Sequence, residues 1–222
     1  AAAKGPVVVA DSSDNAGGGA ASDNTNIIRV LLEQGRKDAC VGPLWDPVAV
    51  DFCHKTGVGN RLTLRFGGKT SAMSGMPIDA EVEVIGLVKN GVQMFGTAEV
   101  GFGDGAGIRV GGVEIALISH RTQALGIEIF TAVNIDLKSK RYIGVKSTNH
   151  FHAAYAPLAA QVLYQLVRTA LFHAYWRSPA EARDARRWGR LFCGQTFAIE
   201  DHHFAARGQI DQPIGLEPSD CG

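Results

Sequence analysis

The stretch that most constrains the fold runs over residues 6–19, Pro-Val-Val-Val-Ala-Asp-Ser-Ser-Asp-Asn-Ala-Gly-Gly-Gly. A short run of β-branched and small apolar residues, bounded by Pro6 and Asp11, suits a strand covered on both faces, as in the middle of a parallel sheet. It opens into a polar, glycine-rich loop. Open α/β sheets place their ligands beyond the carboxyl ends of the strands, so Asp11, Asp14 and Asn15 are candidate site residues. Gly17, Gly18 and Gly19 let the backbone turn at positive φ and approach another group closely.

The following segments repeat the pattern of strand, loop and helix. Residues 24–32 carry apolar side chains at Ile27, Ile28, Leu31 and Leu32, with Asp23, Asn24 or Thr25 as N-cap and Gly35 as the stop. Residues 39–44 read as a second strand. Asp46 as N-cap and Pro47 at the first helical position start a helix over 47–55 that stops at Gly57. Two strand-helix units imply parallel pairing, because parallel neighbours need crossovers. The middle of the chain is antiparallel material: alternation over 61–66 and 80–87, a further strand over 91–97 after a Lys89-Asn90-Gly91 turn, and a hairpin at Gly111-Gly112 whose second arm runs through Ile118. Residues 126–133 read as a short helix and 142–145 as a buried strand. Ser147 or Thr148 then caps a helix continuing through Pro157 to about Tyr164, with Pro157 kinking or restarting it. The expected class is α/β, a mixed sheet with parallel strand-helix units in the N-terminal part and an antiparallel hairpin section in the middle.

Composition narrows the function. Of 222 residues, 45% are apolar and 20% charged, enough for a real core, and Lys plus Arg balance Asp plus Glu at 22 each. That balance gives no electrostatic argument for nucleic acid or an anionic membrane. No apolar run approaches the roughly 18 residues of a membrane span, and no signal sequence appears, so a soluble, cytoplasmic protein is expected. Cys40, Cys53, Cys193 and Cys221 lie far apart without a Cys-x-x-Cys pair and are expected to be free thiols. The chain opens without a methionine directly before its first strand, which suggests a piece of something longer. All eight lysines lie at or before Lys146, whereas residues 168–207 contribute seven arginines. A boundary is therefore placed between 1–164 and a divergent, Arg/Ala-rich helical tail over 165–222. That tail is either a frame-shifted, poorly packed end or an added element that covers the core or binds a partner.

Several motifs, in order, carry a family resemblance: residues 8–19, Val41-Gly42-Pro43-Leu44-Trp45-Asp46-Pro47, Gly67-Gly68-Lys69-Thr70 and Val145-Lys146-Ser147-Thr148-Asn149-His150-Phe151. Over residues 5–164 the chain resembles the C-terminal domain of the MlrC (microcystinase C) family. The resemblance implies part of a zinc-dependent metallopeptidase whose zinc ligands lie in an N-terminal domain absent here. That domain and a small peptide substrate are then the expected partners, and this chain is not expected to hydrolyse anything alone. No His-Glu-x-x-His is present, and His150/His152 and the adjacent His202-His203 have the wrong spacing for a helical metal site.

The resemblance implies Asp14, Ser147 and His150 as catalytic candidates, and Asp11, Asn15, Gly17, Gly18, Lys146 and Arg121 as substrate-binding or supporting ones. On the residues alone, Asp11, Asp14 and Asn15 either meet a substrate or make Asx turns and cap the next helix. Lys146, Ser147 and His150 either bind a peptide carboxylate and stabilise an oxyanion or form an N-cap with a nearby charge. Arg121 and Gln123 contact substrate or close a hairpin edge. Gly67-Gly68-Lys69-Thr70 lacks the first glycine of a phosphate-binding loop and reads as a turn. The competing function is a non-catalytic structural or oligomerisation module.

Overall fold

The computed structural model describes residues 5–165, with the backbone of 167–168 and 171–172. Its core is one eight-stranded mixed sheet. In chain order the elements are β1 (Val7–Asp11), α1 (Asn26–Glu33), β2 (Ala39–Trp45), α2 (Pro47–Thr56), β3 (Arg61–Phe66), β4 (Ile78–Phe95), β5 (Ala98–Val110), β6 (Val113–Ile118), α3 (Glu128–Thr131), β7 (Tyr142–Val145), α4 (His152–Tyr155) and β8 (Gln161–Gln165). Across the sheet the order is β3-β4-β5-β6-β2-β7-β1-β8. From β6 to β8 every pairing is parallel, and from β3 to β6 every pairing is antiparallel. The Val-Val-Val-Ala run is an interior strand next to the sheet edge, flanked by β7 and β8. The two N-terminal strand-helix units are therefore parallel but not adjacent, since β7 lies between β1 and β2.

Local signals explain most elements. Asp46 accepts the Ala49 amide at 3.1 Å, Pro47 occupies the first turn, and Gly57 ends α2 at φ +83°. In α1, Ile27, Ile28, Val30 and Leu31 are buried on the sheet. The Gly111-Gly112 turn has φ +55° and +94°, the left-handed values a tight hairpin requires. Pro43, which has no N–H, sits where the β2–β6 register slips between Val41 and Leu44.

Two expectations are corrected. The Lys89-Asn90-Gly91 signal does not turn the chain. β4 continues to Phe95, Asn90 adopts φ +48° within a register shift, and Asp104 accepts from the Asn90 amide and from Lys89 Nζ. Left-handed Asn serves a bulge here, and the hairpin turn falls at Gly96, φ +63°. The helix expected up to Tyr164 also stops early. α4 ends at Tyr155, just before Pro157, and Gln161–Gln165 is instead a parallel strand beside β1.

Two apolar clusters cover the two faces of the sheet. One joins α1 and α2 to Leu64, Phe66, Ile78 and Val82; the other joins Phe102, Phe130, Phe151 and Tyr155 to the opposite face. Gly86 and Gly107 are required by close approach, because a Cβ at either would lie 2.2 Å from the Val133 carbonyl oxygen. Cys40 and Cys53 are free and buried; burial pushes the Cys53 thiol up to about 12. No helix among the described residues is long and apolar enough to cross a membrane. The reading of residues 165–222 as a separate tail lies, beyond Gln165, outside the described side chains.

Candidate functional site

The loops that follow β1, β2, β6 and β7 leave the same edge of the sheet, because these strands run parallel. The loops after β1 and β7 meet there. Lys146 directly follows β7 and is 1% exposed. Its Nζ donates to Asp14 Oδ2 at 2.8 Å, to Asp11 Oδ2 at 3.1 Å and to the Asn24 carbonyl at 2.9 Å. Burial pulls the ammonium down, but the Asp11 and Asp14 carboxylates outweigh it, so its titration lies above that of an ordinary lysine. An ammonium has three donors, and all are taken.

The same economy of contacts applies to the carboxylates. Asp14 accepts the Ser22 amide on Oδ1 at 2.8 Å and the Asn24 amide on Oδ2 at 2.8 Å, so it organises the approach to α1. Asp11 accepts the Ser13 hydroxyl on Oδ1. Asp11, Asp14 and Lys146, expected as ligand-facing groups, thus face one another inside the protein. Ser147 is also not an N-cap. It is fully buried, and its hydroxyl donates to Gln123 Oε1 at 3.1 Å.

Further polar groups adjoin this network, from buried Asn15 to exposed Arg121 and His150. Asn15 donates from Nδ2 to Thr148 Oγ1 at 2.7 Å and accepts the Gly17 amide, which joins the two loops directly. Gly17 lies against Gln123: a Cβ there would come within 2.5 Å of Nε2. Gly18 is open on that side, with only Asn15 Nδ2 at 3.8 Å from a built Cβ. Arg121 is exposed and donates to the Ala20 carbonyl at 2.5 Å, clasping the glycine loop. His150 is exposed, 3.0 Å from Gln123 Nε2 through Nδ1, with Phe95 edge-on at 5.2 Å between centroids.

Phe95 and Gln93 have no local sequence signal for a role here. Both come from the far end of β4, and only the tertiary path of that strand brings them in. Gln93 is fully buried, donates to the Gln123 carbonyl at 2.9 Å and accepts the Leu125 and Gly126 amides, which fixes the loop that carries Gln123. The Gly67-Gly68-Lys69-Thr70 turn is a brace as well. The Lys69 and Thr70 amides donate to Asp23 Oδ2, the Gly67 amide to Asp46 Oδ2, and Lys69 Nζ pairs with Asp46 at 2.8 Å. Burial pushes the Asp23 carboxyl up, but hydrogen bonds from Ser74, Thr70 and Lys69 outweigh it and hold it below 3.8.

These residues do not fit a zinc ion. Among the described residues no three His, Cys, Asp or Glu side chains are grouped to hold a metal, and the Asp11 and Asp14 carboxylates are taken up by Lys146. The arrangement can bind and orient through Asn15, Thr148, Gln123 and His150.

Residues 9–176 match the family described as MlrC C-terminus, running past the expected end at Tyr164. Microcystinase C from Sphingomonas sp is 35% identical over 159 residues, which cover 72% of this chain and 31% of that protein. A crystal structure named "Putative metallopeptidase" from Mesorhizobium sp. BNC1 superposes with a TM-score of 0.67 at 21% identity, over 73% of this chain and 33% of the other. At that identity the likeness speaks for the fold. The chain spans about a third of the length of each.

Proposed function

Because the chain belongs to the MlrC C-terminus family, we propose that it is the C-terminal domain of a zinc-dependent metallopeptidase, supplying substrate-binding and positioning groups to a peptide-hydrolysing site. The zinc ligands lie, in this reading, in an N-terminal domain of the same protein, within the part of its relatives that this chain does not span. The observation that carries the proposal is the junction of the β1 and β7 loops through Asn15–Thr148 and Lys146–Asp11–Asp14 at the carboxyl edge of the sheet. A purely structural module does not need three charges buried at that edge, where such sheets bind ligands.

Zinc would supply the electrophile and activated water. Within this chain, Asp14, Asp11 and Lys146 hold the two loops in register, acting through position. His150, Asn15, Arg121 and the Gly17-Gly18 backbone are the groups offered to a peptide, and Ser147 acts on it through Gln123.

The test is zinc content and peptidase activity of this chain alone and joined to the region that its longer relatives carry. Activity is expected only in the joined protein and is expected to fall at least tenfold in His150→Ala with folding retained. Equal hydrolysis by the other region without this chain would leave the structural or oligomerisation reading in its place.

A further inference from the structure

Two segments distant in sequence close on one imidazole. Gln123, in the loop after β6, is half-buried and presents its two amide atoms to different partners. Oε1 accepts from Ser147 Oγ at 3.1 Å, and Nε2 lies 3.0 Å from His150 Nδ1. An amide nitrogen only donates, so Nδ1 must accept and carries no proton. The neutral ring then keeps its proton on Nε2. Phe95 fixes the same ring from the β4–β5 tip, edge-on at 79°. The glycine loop is shaped to leave the amide its place, since only a residue without a Cβ at position 17 clears Gln123 Nε2. Gln93, fully buried, holds the Gln123 carbonyl from behind.

We propose that Gln123 is a positioning residue that locks His150 in the Nε2–H tautomer, so that His150 meets a ligand as a hydrogen-bond donor to a carbonyl or carboxylate oxygen of a peptide. It is neither a base nor a metal ligand in that state, because Nδ1 is occupied and Nε2 carries the proton. The tautomer stands on the Ser147–Gln123–His150 chain alone; the identity of the oxygen it meets rests on the peptidase reading above. Ser147 completes the device. Its hydroxyl donates to Oε1 while Nε2 of the same amide faces the ring.

The test reads protonation directly. The chain is labelled with 15N-histidine, and the ring nitrogens of His150 are followed by long-range proton–nitrogen correlation at a pH where the ring is neutral. His150→Asn identifies the signals by their loss. In the wild type a single Nε2–H form is expected. In Gln123→Glu the carboxylate can only accept, so the proton should move and the Nδ1–H form should dominate. In Gln123→Met, which nearly preserves the shape but has no donor, the ring should relax to a mixture of tautomers. A wild-type ring in the Nδ1–H form, or a tautomer unchanged in both variants, overturns the proposal. Activity of the joined protein separates this from the peptidase reading: a tautomer that responds as stated while His150→Ala hydrolyses peptides normally removes the peptide oxygen and leaves the positioning role standing.

Discussion

The outer antiparallel strands and the carboxyl ends of β1 and β7 handle charge in opposite ways. Along β3, β4 and the neighbouring part of β5, ion pairs decorate the outside: Arg61–Glu81 and Arg65–Asp79 link β3 to β4, and Lys89–Asp104 links β4 to β5, each with a partner at least half exposed. In the parallel half, Lys146, Asp11 and Asp14 lie inside, at 1%, 1% and 10% side-chain exposure. The contrast shows which charges shape the molecule. Exposed pairs contribute little because water and salt already satisfy them. A buried cation between two carboxylates cannot lose one member without stranding the rest.

The sharpest way to break this comparison is Lys146→Met. It leaves two carboxylates buried without a cation, and a loss of about 3–5 kcal/mol in denaturant-induced unfolding is expected. A loss no larger than that of Arg65→Ala would end the distinction. Next comes Gln93→Ala, which orphans the Leu125 and Gly126 amides and the Gln123 carbonyl. It should cost about 2 kcal/mol and broaden the His150 ring signals as the loop loosens.

The pH profile sharpens the same contrast. Asp23 titrates lower in the folded chain than the ordinary 3.8. Its stabilising contribution is therefore full above about that value and is lost as pH falls through the lower, folded-state titration. Asp23→Asn should flatten the acid limb of stability below about pH 4 relative to the wild type. Lys146 titrates in the opposite sense. Raised in the fold, it contributes fully below the ordinary 10.5 and is lost only as pH rises beyond it. Smallest of all, Arg65→Ala removes an exposed bidentate pair with Asp79 and should leave the unfolding midpoint unchanged within error at 0.5 M salt.

What could be read from the sequence follows a different division, between local and tertiary causes. Val7–Asp11, α1, β2 and α2 are specified by neighbours in the chain: an apolar run, a cap, a glycine stop. The Gly111-Gly112 hairpin is local too. The β4 path is not local, because Asn90-Gly91 supports a turn or a bulge equally well until Asp104 arrives to take the Asn90 amide. The segment Gln161–Gln165 reads as the end of a helix, and its role as the neighbour of β1 depends on a partner distant in the chain. Within the candidate site, Asp14, Asn15, Ser147 and His150 do gather in one region. That Asp14 and Lys146 face inward follows from their mutual pairing, which no spacing rule reveals.

The position of β1 has a consequence for synthesis. Among the described strands, β1 is synthesised before both of the strands that hold it, the seventh and eighth in sequence. Until residues 142–165 emerge, Val7–Asp11 has neither hydrogen-bonding neighbour, and Asp11 and Asp14 have no Lys146. The antiparallel ribbon from β3 to β6 is complete well before that and can form on nearest-neighbour pairings. The early chain therefore waits with an apolar strand unpaired, a state vulnerable to aggregation and to chaperone capture, until a closing segment slots in on either side of it.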